Sequence, residues 1–186
     1  MRALIIVDVQ NDFCEGGSVP TARGAALAPA INAYLSGDPG YHYIVATQDF
    51  HIDPGDHFSD HPDFSSSWPV HCVAGSAGAD LRPDLDIRHI DAVFRKGAHA
   101  AAYSGFEGVD ENGTTLLGWL RRRGVDEVDV AGIATDFCVR RTAEDAAAAG
   151  LTTRVLVDLT AAAAADSAAQ ALTEMRSAGI ELVGGP

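Results

Sequence analysis

Gly132-Ile133-Ala134-Thr135-Asp136-Phe137-Cys138-Val139 takes the chain out of one element and into another, and it sets a cysteine on the turn between them. The preceding Val128-Asp129-Val130-Ala131 is short, apolar and flanked by charge, which reads as a buried strand. From Phe137 to Ala149 apolar or small residues recur at 139, 143, 146 and 147, the spacing of a helix stopped by Gly150, and Thr135 or Asp136 is the expected N-cap. A thiol in the first turn of such a helix lies at the positive end of the macrodipole, beside N–H groups with no intrahelical partner. Its pKa is therefore expected to fall below the usual value of about 8.5, and the same N–H groups could hold an oxyanion. A buried cysteine can also simply pack, but a position at the carboxyl edge of a sheet points to a nucleophile.

The rest of the chain repeats the strand-to-helix rhythm. Ala3 to Val9 is a β-branched and aliphatic run without alternation, as in a strand buried on both faces, yet it holds Asp8. That carboxylate is either a working base with a raised pKa or one that ties down the next loop. Tyr43 to Asp49, Ala92 to Lys96, Arg154 to Leu159 and Ile180 to Val183 read as further strands. Helices are expected within residues 24–35, with Pro29 starting or bending the first, over 112–124 with an arginine-rich last turn, and near 166–178. Alternating strands and helices without a linker or repeat predict one α/β domain over residues 1–186. It is expected to hold six parallel strands with helices on both faces, in the three-layer Rossmann-like manner.

Composition narrows the function. The 186 residues are enough to bury a core without staples, and the net charge of −13 argues against nucleic acid or an anionic membrane as partner. The N-terminal apolar run is too short for a signal core, and no later run approaches membrane length, so a cytoplasmic protein is expected. Cys14, Cys72 and Cys138 are odd in number and widely spaced, which fits neither a disulfide framework nor a Cys-x-x-Cys zinc site.

In a parallel sheet the ligand crevice lies beyond the carboxyl ends of the strands, and Asp8, Asp49, Lys96 and Cys138 all occupy such ends. Four reactive side chains at equivalent positions are hard to ascribe to packing, because buried charge is avoided unless it is paired or used. They suit a covalent hydrolase in which Asp8 takes the Cys138 proton and Lys96 keeps the two in register. Asp49 and His51 are two apart, and His57 and His71 lie in the polar loop that follows. One carboxylate and three imidazoles form a mixed donor set for one divalent ion such as iron(II), manganese or zinc, unless histidines have merely gathered on a polar loop. His61 is a competing ligand by composition, whereas His42, His89 and His99 look incidental.

These residues resemble a known family. Asp8-Val9-Gln10-Asn11-Asp12-Phe13-Cys14-Glu15-Gly16-Gly17-Ser18, Thr47-Gln48-Asp49-Phe50-His51, Trp68-Pro69-Val70-His71-Cys72-Val73, Phe94-Arg95-Lys96-Gly97 and the cysteine stretch are similar to the nicotinamidase/pyrazinamidase branch of the isochorismatase-like cysteine hydrolases. The likeness is to the mycobacterial type and covers essentially the whole chain. It implies a triad of Asp8, Lys96 and Cys138, an oxyanion hole at the N–H groups of Ala134 and Cys138, and a metal held by Asp49, His51, His57 and His71. It also implies a substrate pocket of Phe13, Trp68, Tyr103, Ile133, Ala134 and Phe137, and a cis peptide between residues 133 and 134. Packing remains an alternative role for Phe13 and Tyr103. Position 137 is Phe where the nearest members of that branch carry His, which bears on substrate fit rather than on the chemistry.

The implied reaction is hydrolysis of nicotinamide, and of pyrazinamide, by a monomer or small homo-oligomer. A metal-independent relative acting on isochorismate, a ureido compound or another small amide would share the trio but give no reason for the Asp49, His51, His57 and His71 set. A non-enzymatic thiol or metal-binding protein would give no reason for Asp8 and Lys96 beside Cys138.

Overall fold

The computed structural model describes residues 1–185. Six strands, β1 (Arg2–Val7), β2 (Tyr43–Asp49), β3 (Ala92–Lys96), β4 (Glu127–Ile133), β5 (Thr152–Ala161) and β6 (Glu181–Val183), form one parallel sheet in the order β3-β2-β1-β4-β5-β6. The chain first builds leftwards from β1 and then crosses to β4 on its other side. The reversal between β1 and β4 opens a crevice at the carboxyl ends of those two strands. Asp8 follows β1 and the cysteine turn follows β4, so the topology brings these distant segments to one crevice.

The central strands lack alternation because both faces of the sheet are covered. Leu4 and Ile6 of β1 join Ala46, Ala131, Ile133 and Leu156 under Leu27, Ala28 and Ile31 of α1 (Gly24–Ser36). Ala3, Ile5 and Val7 face the other way, against α2 (Leu116–Arg122), α3 (Arg140–Ala148) and α4 (Ala165–Ser177). Among the described residues no helix is long and apolar enough to cross a membrane.

The first helix spans the expected segment, running from Gly24 through Pro29 rather than starting at it, which leaves the Ala25 carbonyl without the donor that another residue would supply. The second starts four residues late. Asp110 collects the N–H groups of Asn112 and Thr114 at 2.9 and 2.8 Å in a turn, and Thr115 caps the helix by accepting from the Gly118 N–H at 3.2 Å.

Candidate active site

The strand ends converge as the sequence predicts. Asp8, one residue beyond β1, is fully buried and turns the chain through a φ of +48°. Its Oδ1 accepts from the Thr47 hydroxyl of β2 at 2.6 Å. Lys96, the last residue of β3, reaches past β2 to place Nζ 2.8 Å from Asp8 Oδ2, and it also pairs with Asp49 Oδ1. The same Nζ donates to the Ala102 carbonyl at 3.2 Å and lies 3.6 Å from Cys138 Sγ. Asp8, Asp49 and Cys138 each offer an atom within 4.8 Å of the others.

The cysteine turn differs from an ordinary helix start. Ala134 follows the cis Ile133–Ala134 peptide, and its carbonyl accepts both the Phe137 N–H and the Val139 N–H, each at 3.0 Å. The second of these is an i→i+5 bond, so Thr135–Val139 forms a widened π turn that presents Cys138 before α3 begins. Gly132 makes the approach possible: at φ +119°, a Cβ there would lie 2.0 Å from the Val7 carbonyl oxygen of β1.

Neither Thr135 nor Asp136 caps the turn. Thr135 donates to Thr160 of β5 at 2.8 Å, while the Asp136 carboxylate accepts from the N–H groups of Ala163 and Ala164 at 2.9 and 3.1 Å and from the Ser167 hydroxyl, serving the start of α4 instead. The expected drop in the Cys138 pKa is also overturned. Burial pushes the thiol well up, Lys96 pulls it down, and Asp8 and Asp49 push it up again. One ammonium already serves two carboxylates, so a thiolate would add a second net negative charge to a buried cluster. Burial likewise raises Asp8 against the pull of Lys96, which makes it a better proton acceptor than an exposed aspartate.

Of the seven histidines, His51, His57 and His71 are buried, and His42, His61, His89 and His99 are exposed. The three buried rings offer nitrogens within 4.8 Å of one another. His51 Nδ1 lies 2.6 Å from the Gly97 carbonyl, His71 Nδ1 2.7 Å from the Pro69 carbonyl and His57 Nδ1 3.3 Å from the Ser66 carbonyl. A carbonyl only accepts, so each Nδ1 is the donor, and in the neutral ring Nε2 is the nitrogen left to ligate. Gly97 must be glycine for this contact, since a Cβ there would lie 2.6 Å from the His51 ring at a φ of +79°.

Nε2 of His51 is buried with no hydrogen-bond partner. Asp49 Oδ2 lies 3.6 Å from it and 3.8 Å from His71 Nε2, too long for hydrogen bonds and open to an ion between them. Burial pushes the Asp49 carboxyl up, but Lys96 outweighs it and holds the group well below the carboxylate range. Burial and the two neighbouring imidazoles keep His57 below the ordinary histidine value. An anionic carboxylate and three imidazole lone pairs fit a divalent metal ion.

Between the two clusters a small cavity reaches Cys138 and Asp49. Phe13, Trp68, Tyr103, Ile133, Ala134 and Phe137 all line it, together with Val19, Thr21 and Ala163, which no pattern in the sequence marks. Phe137 stands edge-on to Trp68 at 5.0 Å and near-parallel to Tyr103 at 6.0 Å. The Trp68 indole N–H donates to the Tyr103 hydroxyl at 3.1 Å, and that hydroxyl donates to the Ser65 carbonyl at 3.2 Å. The aromatic wall is thus pinned by polar bonds, and its flat faces suit a planar ring.

The domain model of the isochorismatase family matches residues 2–185. Nicotinamidase/pyrazinamidase of Mycobacterium tuberculosis is 70% identical over 183 residues, covering 98% of this chain and 98% of that protein. The solved structure of PnC1 from L. infantum in complex with nicotinate is 41% identical, with a TM-score of 0.87 over 98% of this chain and 92% of that one. The pyrazinamidase of Pyrococcus horikoshii in complex with zinc is 36% identical, with a TM-score of 0.83 over 99% of both chains.

Proposed function

The chain belongs to the isochorismatase family, and from that membership we propose that it is a metal-dependent cysteine amidohydrolase. It converts nicotinamide to nicotinate and ammonia, and pyrazinamide to pyrazinoic acid. One observation carries the reading beyond the family: Asp49 turns one oxygen to Lys96, beside Cys138, and the other towards the Nε2 atoms of His51 and His71, which cluster with His57. A nucleophile and a cation site that share a carboxylate at one small aromatic cavity suit a heteroaromatic amide. A metal-independent hydrolase would have no use for a buried, unpartnered His51 Nε2.

In this reading the amide carbon sits against Cys138. The thiol is protonated at rest, so attack requires a base, and Asp8 takes the proton as the sulfur–carbon bond forms. The Ala134 and Cys138 N–H groups receive the oxyanion. Asp8 then passes its proton to the departing amine, releasing ammonia and leaving a thioester. The same carboxylate removes a proton from the water that cleaves it, giving nicotinate and restoring the thiol. Lys96 holds Asp8 in line throughout. Asp49, His51, His57 and His71 hold iron(II), manganese or zinc, and a bound ion supplies a Lewis-acidic anchor for the ring nitrogen. Phe13, Trp68, Tyr103, Ile133, Ala134 and Phe137 enclose the ring.

Residues 1–186 act as one hydrolase domain, a cytoplasmic monomer or small homo-oligomer without nucleic-acid or membrane partners. Ammonia release from nicotinamide, measured on metal-loaded protein and compared with a ureido substrate and isochorismate, tests the assignment. Turnover of either comparison compound in preference to nicotinamide would overturn it.

A further inference from the structure

We propose that Gln10 is a positioning residue whose side-chain amide aims the Asp49 carboxylate at Lys96 and the histidines together. The pairing of β1 with β2 ends at Ile6 and Ala46, but β2 runs three residues further, to Asp49. Asp8 turns the departing chain away, and the Gln10 N–H closes that turn on the Asp8 carbonyl at 2.8 Å. The Gln10 side chain comes back into the vacated lane. Its Oε1 accepts the Asp49 N–H at 2.9 Å, and its Nε2 donates to the Asp49 carbonyl at 2.8 Å. A primary amide thus does for Asp49 what a neighbouring strand does for an interior residue. The orientation of the amide is fixed by its partners, because its other contact is also a carbonyl, that of Ala79 at 2.8 Å.

Gln10 is fully buried, and its amide is used at both ends. Both backbone groups of Asp49 are held on this side, while β3 holds the strand on the other. Asp49 must point one oxygen at Lys96 and keep the other 3.6 Å from His51 Nε2 and 3.8 Å from His71 Nε2. A small rotation of its backbone would spoil both contacts together, and groups that orient a ligating residue are worth a large share of the affinity. The side chain is specific. Asn falls one methylene short, Glu sets an acceptor against the carbonyls of Asp49 and Ala79, and Met fills the space without any of the three bonds.

A purely structural role would work through Ala79, and the protein contains a control for it. Gln48 Nε2 also donates to the Ala79 carbonyl, at 2.9 Å, and has no bond to Asp49. The proposal rests on the reading of Asp49 and the histidines as a metal site, and the test separates the two. Wild type, Gln10→Met, Gln10→Glu, Gln10→Asn and Gln48→Met are stripped of metal and titrated with Zn²⁺ and Mn²⁺ in competition with a chromophoric chelator. Thermal midpoints of the stripped proteins, and kcat and KM for nicotinamide on the loaded ones, are recorded alongside.

Gln10→Met and Gln10→Glu are expected to weaken metal binding roughly tenfold or more and to lower kcat/KM, whereas Gln48→Met stays within about twofold of wild type even where its thermal midpoint falls. If the Met and Glu variants do not fold, Gln10→Asn is judged by the same affinity criterion. Unchanged affinity in the folded Gln10 variants, or an equal loss in Gln48→Met, overturns the proposal. A wild-type protein that binds neither ion overturns instead the metal reading beneath it.

Discussion

Replacing Asp8 with Asn should make Cys138 more reactive towards a small alkylating agent while ending amide hydrolysis. The Asp8 carboxylate and the sulfur lie within 4.8 Å of each other, and both are buried. Two unit charges at that separation, with an effective dielectric of about 20, repel by about 3.5 kcal/mol, a factor of roughly 300 in the thiolate fraction while the thiol is mostly protonated. A more acidic thiol is also a weaker nucleophile, with a Brønsted slope of about 0.5, so about half of the gain in logarithmic rate is lost. Iodoacetamide should therefore modify Cys138 roughly tenfold faster in Asp8→Asn than in wild type at neutral pH. The assay is mass-spectrometric labelling of metal-free proteins shown to be folded by circular dichroism. Ammonia release by the loaded variant should be lost, because the amine then leaves without its proton donor. Slower alkylation in the variant would refute the reasoning: it would mean that the thiolate is already formed at rest and is stabilised by a proton on Asp8.

Further outcomes concern the nucleophile, the metal site and the shared lysine. Cys138→Ala should abolish turnover while nicotinamide still binds in a calorimetric titration, and labelling of wild type should spare Cys14 and Cys72. Cys14 and Cys72 are fully buried whereas Cys138 lines the cavity, so preferential labelling of either with activity retained would displace Cys138 as nucleophile. His51→Ala, or removal of metal, should stop nicotinamide hydrolysis yet leave Cys138 open to alkylation. Benzamide, which lacks the ring nitrogen, should be a poor substrate even for the loaded enzyme, and benzamide turnover equal to that of nicotinamide would remove the anchoring role of the ion. Lys96→Met should destabilise the fold by about 3–5 kcal/mol in urea unfolding at neutral pH, since it strands Asp8 and Asp49 without their shared cation, and a loss below about 1 kcal/mol would show that they are not charged together.

The sequence by itself determined the order of the elements and the places where chemistry sits. Unbroken apolar runs such as Ala3 to Val7 identify strands covered on both faces, and the polar residue ending each run falls at the sheet's carboxyl edge whatever the tertiary details. Asp8, Asp49, Lys96 and Cys138 were legible for that reason, and so was the loop bearing His51, His57 and His71. Only the tertiary structure decided how these groups act on one another. Burial, with Asp8 and Asp49 sharing the one Lys96 ammonium, raises the thiol pKa where the helix dipole alone implied a fall. Asp136 holds the segment leading into α4 rather than capping its own turn, because the fold brings the Ala163 and Ala164 N–H groups and the Ser167 hydroxyl within reach. His61 is excluded by exposure, a property of the folded surface that composition does not carry. Gln10 looks like one polar residue in a polar loop until β1 turns away and leaves the edge of Asp49 open. Propensity and periodicity are local and can be read along the chain. Burial, charge sharing and hydrogen-bond supply are sums over neighbours far apart in sequence, and they exist only once the sheet has assembled.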